Sequence, residues 1–249
     1  MVLSLTRWVG KVAVVTGASA GIGAATASQL VRSGILVAGL ARRVERIEKL
    51  AASLEGSKGK LYAFKCDITN EEEVIAVFKE INDTIGTIQI LINNAGLGQP
   101  TDLIDGDSKM WRTCIDTNVF GLCVATREAI KYMKAAEVEG HVVHVNSTAG
   151  HVVYNIPKFN VYGATKYAVT ALAETLRREI NMKKLPVRIT SVSPGYVSTE
   201  FTFVAYGQET FDMPSLKPED VADAIKYTLS TPQTVNIKEI NLEAYGATL

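Results

Sequence analysis

Short apolar runs alternate along this chain with stretches whose apolar positions recur every three or four residues. Val12–Val15, Ile35–Leu40, Leu61–Phe64, Ile88–Ile92, His141–Val145 and Val187–Val192 are rich in aliphatic and β-branched residues and predict strands. Between them, Ile22–Arg32, Arg43–Leu54, Glu71–Asn82, Lys109–Lys134 and Tyr162–Asn181 carry the helical period. In Arg43–Leu54, for example, Val44, Ile47, Leu50, Ala51 and Leu54 share one face and the charges the other. Thr69 or Asn70 can cap the helix that opens Glu71-Glu72-Glu73, whose carboxylates suit the positive end of the helix dipole. Pro218-Glu219-Asp220 opens a further helix, and Val235–Leu242 predicts the last strand. Strict strand–helix alternation with wholly apolar strands requires a parallel sheet buried on both faces. The expected fold is α/β, a doubly wound Rossmann-type sheet. With no linker or repeat, residues 1–249 are expected to form a single domain.

Composition narrows the function classes. The 249 residues hold 26 Lys and Arg against 26 Asp and Glu, so the basic excess of a nucleic-acid binder is missing. Cys66, Cys114 and Cys123 are odd in number and contain no C-x-x-C pair, which fits three thiols in a reducing compartment better than a disulfide or zinc framework. His141, His144 and His151 are strand-spaced or isolated, and no metal site is expected. The N-terminus lacks a persuasive signal peptide and no apolar stretch reaches a membrane span, so a cytoplasmic protein is expected.

Candidate chemistry begins at the first strand–helix junction. Thr16-Gly17-Ala18-Ser19-Ala20-Gly21-Ile22-Gly23 puts three glycines where a dinucleotide pyrophosphate meets a helix N-terminus. Gly17 permits the tight turn, Gly21 a close ligand approach and Gly23 close packing of helix on sheet. By itself such a turn also serves as a plain strand-to-helix connection. An NAD site commonly carries a carboxylate about 20 residues further on. This chain instead has Arg42 and Arg43, permanently charged forks that suit a 2′-phosphate. That favours NADP(H) over NAD(H), the alternative being two arginines that merely solvate a helix start.

Tyr162 and Lys166 stand at i and i+4 on one helical face. A nearby ammonium favours phenolate, so Lys166 is expected to lower the Tyr162 pKa and make it a proton donor or acceptor. Such a pair is also common on ordinary helix surfaces. Together with Asp67, Asn93-Asn94-Ala95-Gly96, Asn118, Ser147 and Pro194-Gly195, all in order, these residues closely resemble the short-chain dehydrogenase/reductase family over essentially the whole chain. Gly39–Arg42, Asn93–Leu97, Ala164–Leu172 and Leu216–Ala222 further resemble its insect farnesol-dehydrogenase-like subgroup and the vertebrate dehydrogenase/reductase member eleven type.

The resemblance implies roles. Ser147 binds the substrate oxygen, Tyr162 transfers the proton, Lys166 also holds the nicotinamide ribose, and Asn118 holds a relay water. Cofactor contacts are implied for Gly17, Ala18, Ser19, Ala20, Gly21, Ile22, Gly23, Arg42 and Arg43. Asp67 and Ile68 would flank the adenine and Asn94, Ala95 and Gly96 the adenosine ribose. Pro194, Gly195, Val197 and Thr199 would border the carboxamide. The resemblance also implies a homodimer or homotetramer built partly on the helices at 109–134 and 162–181.

The 15 positions from Ser147 to Tyr162 exceed the family's usual spacing, with the extra residues at His151–Asn160. They are expected to reshape the substrate pocket. Beyond Pro194-Gly195, a segment at about 200–217 carries Phe201, Phe203, Val204, Tyr206, Phe211 and Met213. That much apolar area suits a lid over an apolar alcohol or carbonyl substrate, a farnesol-like isoprenoid being favoured. A subunit interface would use the same residues. A hydroxysteroid or xenobiotic carbonyl reductase is the nearest alternative, and a non-catalytic NADP-binding regulator a remote one, since such a regulator needs no proton relay.

Overall fold

The computed structural model describes residues 3–156, 158, 160–206 and 213–247, with the side chains of 160, 203, 204 and 206 left aside. Seven parallel strands form one sheet: β1 (Val12–Thr16), β2 (Leu36–Ala41), β3 (Lys60–Lys65), β4 (Ile88–Asn93), β5 (Gly140–Val145), β6 (Val187–Pro194) and β7 (Glu239–Leu242). Their spatial order is β3-β2-β1-β4-β5-β6-β7. The order reverses between β1 and β4, and such a switch point opens a crevice beyond the carboxyl ends of the strands.

Period-2 side-chain geometry splits each strand between two cores. Ala13 and Val15 of β1 face a core with Leu30 and Val31 from α1 (Gly21–Arg32) and Val221 and Ile225 from α8 (Pro218–Ser230). Val12 and Val14 face the other core, with Phe78 and Ile81 of α3 (Glu71–Thr84), Ala125 and Met133 of α5 (Leu122–Ala135) and Ile180 of α6 (Asn160–Met182). α2 (Val44–Ser53) seals the β2–β3 side through Ile47.

Local chemistry sets the helix ends. α1 stops at a Schellman turn: Gly34 takes φ +93°, its N–H reaches Val31 O at 2.9 Å, and Ile35 N–H reaches Leu30 O at 3.1 Å. Asn70 caps α3, its side chain accepting from Glu73 N at 3.2 Å. Pro218 opens α8, where the Asp220 carboxylate accepts from Lys217 N at 2.7 Å.

The chain departs from the sequence pattern in three places. The stretch expected as one helix at Lys109–Lys134 is α4 (Ser108–Ile115), a π-turn (Asp116–Gly121) and α5. The last strand begins at Glu239, not Val235. Upstream of it, carbonyls are taken by side chains: Val235 O by Arg188 at 2.8 Å, Ile237 O by Thr190 Oγ1 at 2.7 Å and Lys238 O by Arg177 at 2.6 Å. Finally, the segment after Pro194-Gly195 contains a short helix, α7 (Glu200–Tyr206).

Among the described residues no helix is long and apolar enough to cross a membrane, and no three His, Cys, Asp or Glu side chains group as metal ligands. His141 and His144 are buried, hydrogen-bonded to Thr190 at 2.8 Å and to Asn93 at 3.1 Å respectively. Cys66, Cys114 and Cys123 are free thiols.

Candidate active site

A cleft of about 620 Å³ lies over the carboxyl ends of the strands at the switch point, within the range of small-molecule sites. One wall is the glycine turn after β1. Gly17 and Gly21 hold φ of +68° and +52°, conformations that a side chain would strain. Thr16 Oγ1 accepts from Asn94 N and Ala95 N, each at 3.0 Å, and Asn94 Nδ2 donates to Thr16 O at 2.9 Å and Gly17 O at 3.2 Å. The turn is therefore built jointly from the ends of β1 and β4. A Cβ on Gly23 would sit 2.3 Å from Gly17 O.

Gly17, Ser19, Ala20, Gly21 and Ile22 line the cleft. Ala18 does not. Its side chain is fully buried and its N–H donates to Leu40 O at 3.2 Å, so this amide already serves the fold. Gly23 is likewise behind the wall, where its role is packing.

Arg42 and Arg43 line the cleft at the end of β2. Arg43 pairs with Glu200 at 3.0 Å, whereas Arg42 forms no ion pair among the described residues. Asp67 and Ile68 follow β3. Asp67 Oδ1 accepts from Thr69 N at 3.0 Å and Thr69 Oγ1 at 2.8 Å, which fixes the turn and keeps the carboxylate at the cleft. Asn94, Ala95 and Gly96 line the floor, while Asn93 turns into the core toward Thr126 and His144. Pro194, Gly195, Val197 and Thr199 form the far rim.

Beyond the glycine turn stand Ser147, Tyr162 and Lys166. Ser147 ends the β5 connection, and its Oγ caps the 3-10 turn Thr148–Gly150 by accepting from Ala149 N at 3.1 Å. That turn is tied to α6: Thr170 Oγ1 donates to Gly150 O at 3.0 Å and receives Asn146 Nδ2 at 2.9 Å. Ser147 is thereby held at a fixed distance from Tyr162 on the same helix. Lys166 is buried, donates to Val145 O at 2.9 Å and places Nζ 5.6 Å from the Tyr162 ring centroid.

Burial pulls the Lys166 ammonium down to about 8. The Tyr162 phenol moves the other way from the expectation. Burial holds it well above its ordinary range, against the Ser147 hydroxyl bonded to it, and Lys166 does not reverse this.

Asn118 lies in the π-turn, a helix irregularity frequent at functional sites. Its Oδ1 accepts from Leu97 N at 2.8 Å, and its Nδ2 donates to Leu97 O at 2.8 Å and Thr165 Oγ1 at 3.0 Å. This side chain clamps the segment after β4 onto α6 directly behind Gly96 and Lys166.

Of the substrate residues expected from sequence, Phe201 and Met213 line the cleft, and the Phe201 ring lies 5.3 Å from that of Tyr162. Phe203 and Tyr206 are on α7, with side chains outside the description, and Phe211 lies outside the described residues. Leu97, Gln99, Tyr154, Ile156 and Tyr196 also line the cleft and were not anticipated individually. The long Ser147–Tyr162 interval was the signal for Tyr154 and Ile156.

The site fits a dinucleotide by its own construction. It offers a glycine cradle that side chains would fill, a guanidinium at the β2 end without an ion pair among the described residues, and a buried Tyr–Lys pair at the other end.

Comparison with known proteins agrees. The profile described as short chain dehydrogenase matches residues 11–208. The farnesol dehydrogenase of Aedes aegypti is 44% identical over 247 residues, 97% of this chain and 99% of that protein. Dehydrogenase/reductase SDR family member 11 of Gallus gallus is 44% identical over 248 residues, 96% of this chain and 97% of that one. Among solved structures, the alcohol dehydrogenase from the archaeon Thermococcus sibiricus complexed with 5-hydroxy-NADP superposes with a TM-score of 0.84 at 28% identity, covering 96% of this chain and 98% of that one. The closed form of serine dehydrogenase complexed with NADP+ gives 0.82 at 31% identity, covering 93% and 94%.

Proposed function

Because the chain belongs to the short-chain dehydrogenase/reductase family, we propose that it moves a hydride between NADP(H) and an apolar alcohol, aldehyde or ketone, with Tyr162 as the acid/base. The observation that carries this reading is the convergence of Ser147, Tyr162 and Lys166 at one end of a cleft whose other end is a glycine cradle. The glycine turn and Arg42 would hold a nicotinamide dinucleotide, which would supply or take up the hydride. The protein's part is the proton and the charge. Tyr162 gives its proton to the substrate oxygen during carbonyl reduction and takes it back during alcohol oxidation. Its raised pKa keeps the phenol protonated at neutral pH, which suits the reductive direction. Ser147 donates a hydrogen bond to the same oxygen. The Lys166 ammonium puts a positive charge beside the developing alkoxide, and Asn118 holds the floor of the site in register.

Arg42 supports NADP(H) over NAD(H). It lines the cleft without an ion pair among the described residues, while Arg43 is engaged by Glu200. The solved relatives with NADP or its derivative are consistent with this choice. Arg42→Ala is expected to raise KM for NADPH about ten- to a hundredfold, the worth of a charge-assisted hydrogen bond. KM for NADH should barely move, and Arg43→Ala should do less. Equal losses with both cofactors rule out a 2′-phosphate contact.

Phe201, Met213, Tyr154 and Ile156 support an apolar substrate, as does the similarity to the farnesol dehydrogenase of Aedes aegypti. The test is a homologous series of linear alcohols and aldehydes followed by NADPH absorbance. Each added methylene should contribute about 0.8 kcal/mol, roughly fourfold in kcat/KM, until the pocket is full. A flat series, or a compact ketone that outperforms every linear substrate, replaces the isoprenoid reading with the carbonyl reductase one.

The same reading includes a homo-oligomer. Ile115 and Phe120 at the π-turn and Tyr167 on α6 leave apolar area exposed on the helices expected at the interface.

A further inference from the structure

One carboxylate ties the substrate segment to the opposite wall of the cleft. Glu200, the first residue of α7, places Oε2 3.0 Å from Arg43 and Oε1 2.6 Å from Arg46 in the first turn of α2. The partners lie 157 and 154 positions apart in sequence, so the contact belongs to the folded cleft alone. On one side of Glu200, Thr199 packs on the glycine turn, where a Cβ on Gly21 would lie 3.2 Å from Thr199 Cγ2. On the other, the Phe201 ring meets Tyr162 at 5.3 Å. Three consecutive residues thus touch the glycine turn, α2 and the proton-transfer group.

We infer that Glu200 is a positioning residue for substrate recognition: its bridge to Arg43 and Arg46 holds the first turn of α7 across the cleft and sets Phe201 against Tyr162. The inference rests on the reading of this cleft as a substrate site and adds to it a residue outside the proton-transfer set. A helix of 7 residues is too short to be stable by itself and depends on tertiary contacts. Beyond the bridge, those contacts include Thr202 Oγ1 to Val197 O at 3.3 Å and Ala205 packed on Gly98. The bridge is the charged one, and it is accessible: the side chains of Arg43, Arg46 and Glu200 are 48%, 40% and 54% exposed. Salt therefore screens it. Hydrogen bonds from Arg46 and Arg43 hold the Glu200 carboxyl below its usual range, so it stays ionised at neutral pH and ionic strength is the variable that acts on it.

The experiment compares Glu200→Gln, Arg46→Met and the double variant in the full chain. Hydrogen–deuterium exchange of a peptide spanning 198–206 is measured without cofactor. Each single variant should speed exchange about two- to tenfold, the scale of a surface ion-pair network, and the double variant no further than Glu200→Gln. At saturating cofactor, KM for an aldehyde that the wild type accepts should rise by a similar factor, with kcat changing less. Added sodium chloride should move the wild-type KM toward that of Glu200→Gln and leave the Glu200→Gln and double-variant values level, with Arg46→Met, which keeps the Arg43 pair, in between. Unchanged exchange in both single variants, or additive effects, overturns the bridge. Faster exchange with an unaltered KM overturns its role in recognition. Should the wild type reduce no carbonyl at all, the substrate reading itself fails, and with it the recognition role, while the exchange result still judges the bridge.

Discussion

Tyr162→Phe is expected to fold normally, keep its affinity for the dinucleotide and lose at least about 10²–10⁴-fold in kcat, the usual contribution of a positioned acid/base. The substitution removes one oxygen. The ring still packs against Phe201, and Ser147, which loses its bond to the phenol, keeps the one it accepts from Ala149 N. Steady-state kinetics beside a cofactor titration separates the two effects, and near-normal kcat would reduce Tyr162 to a bystander. The raised phenol pKa gives the reaction a signed pH dependence. Reduction uses the protonated phenol, which is the dominant form below that pKa, so its rate holds across neutral pH and falls only under alkaline conditions. Oxidation uses the phenolate, so its kcat/KM should climb as pH rises through the same range.

Gly23→Ala is expected to destabilise the protein by about 1–3 kcal/mol or more and to weaken dinucleotide binding at least about tenfold, because overpacked atoms must displace backbone. The new Cβ would stand 2.3 Å from Gly17 O and 2.5 Å from Asn94 Nδ2, two atoms that hydrogen-bond each other at 3.2 Å. Relieving the clash breaks that bond and shifts the turn that faces the cofactor. Gly163→Ala provides the contrast. Its nearest neighbour would be Ala149 O at 3.8 Å, and it lies within α6, so it should gain about 0.5–1 kcal/mol from helix propensity. Thermal unfolding of both variants, with a fluorescence titration of cofactor, tests the pair. A Gly23→Ala protein as stable as the wild type would mean that the turn has more room than its geometry indicates.

Six strands and the helices between them were legible because each is coded locally, by short aliphatic runs and helical spacing. The glycine turn, Arg42, Ser147, Tyr162 and Lys166 were legible because they lie at fixed distances from those elements. What the sequence left hidden depends on long-range contacts. Val235–Leu242 reads as strand, yet β7 begins at Glu239, and just upstream Arg188 and Thr190 hold the carbonyls of Val235 and Ile237. The π-turn that carries Asn118 is invisible in a helix pattern that is apolar on schedule through that stretch. Ala18 sits inside the glycine motif, yet its amide is claimed by Leu40 of the adjacent strand. The Tyr–Lys spacing foretold proximity but not that Lys166 would lean over the ring toward Val145 and leave burial to govern the phenol.

Past Pro194 the chain leaves the sheet, and the segment that carries α7 is closed at its base by a bridge outside the named strands. Val197 and Leu216 pair in parallel, with Leu216 N bonded to Tyr196 O at 2.9 Å and Ser198 N to Leu216 O at 3.1 Å. A segment pinned at its base can be exchanged like a cassette. Its closure entropy rises by only about 0.6 kcal/mol for each doubling of length, so changes of length there that leave the contacts of Thr199, Glu200 and Phe201 in place weigh little on the rest of the chain. On the proposed reading of the cleft, selection can therefore change which substrate is accepted by editing that stretch, while Ser147, Tyr162 and Lys166, elsewhere in the chain, stay as they are.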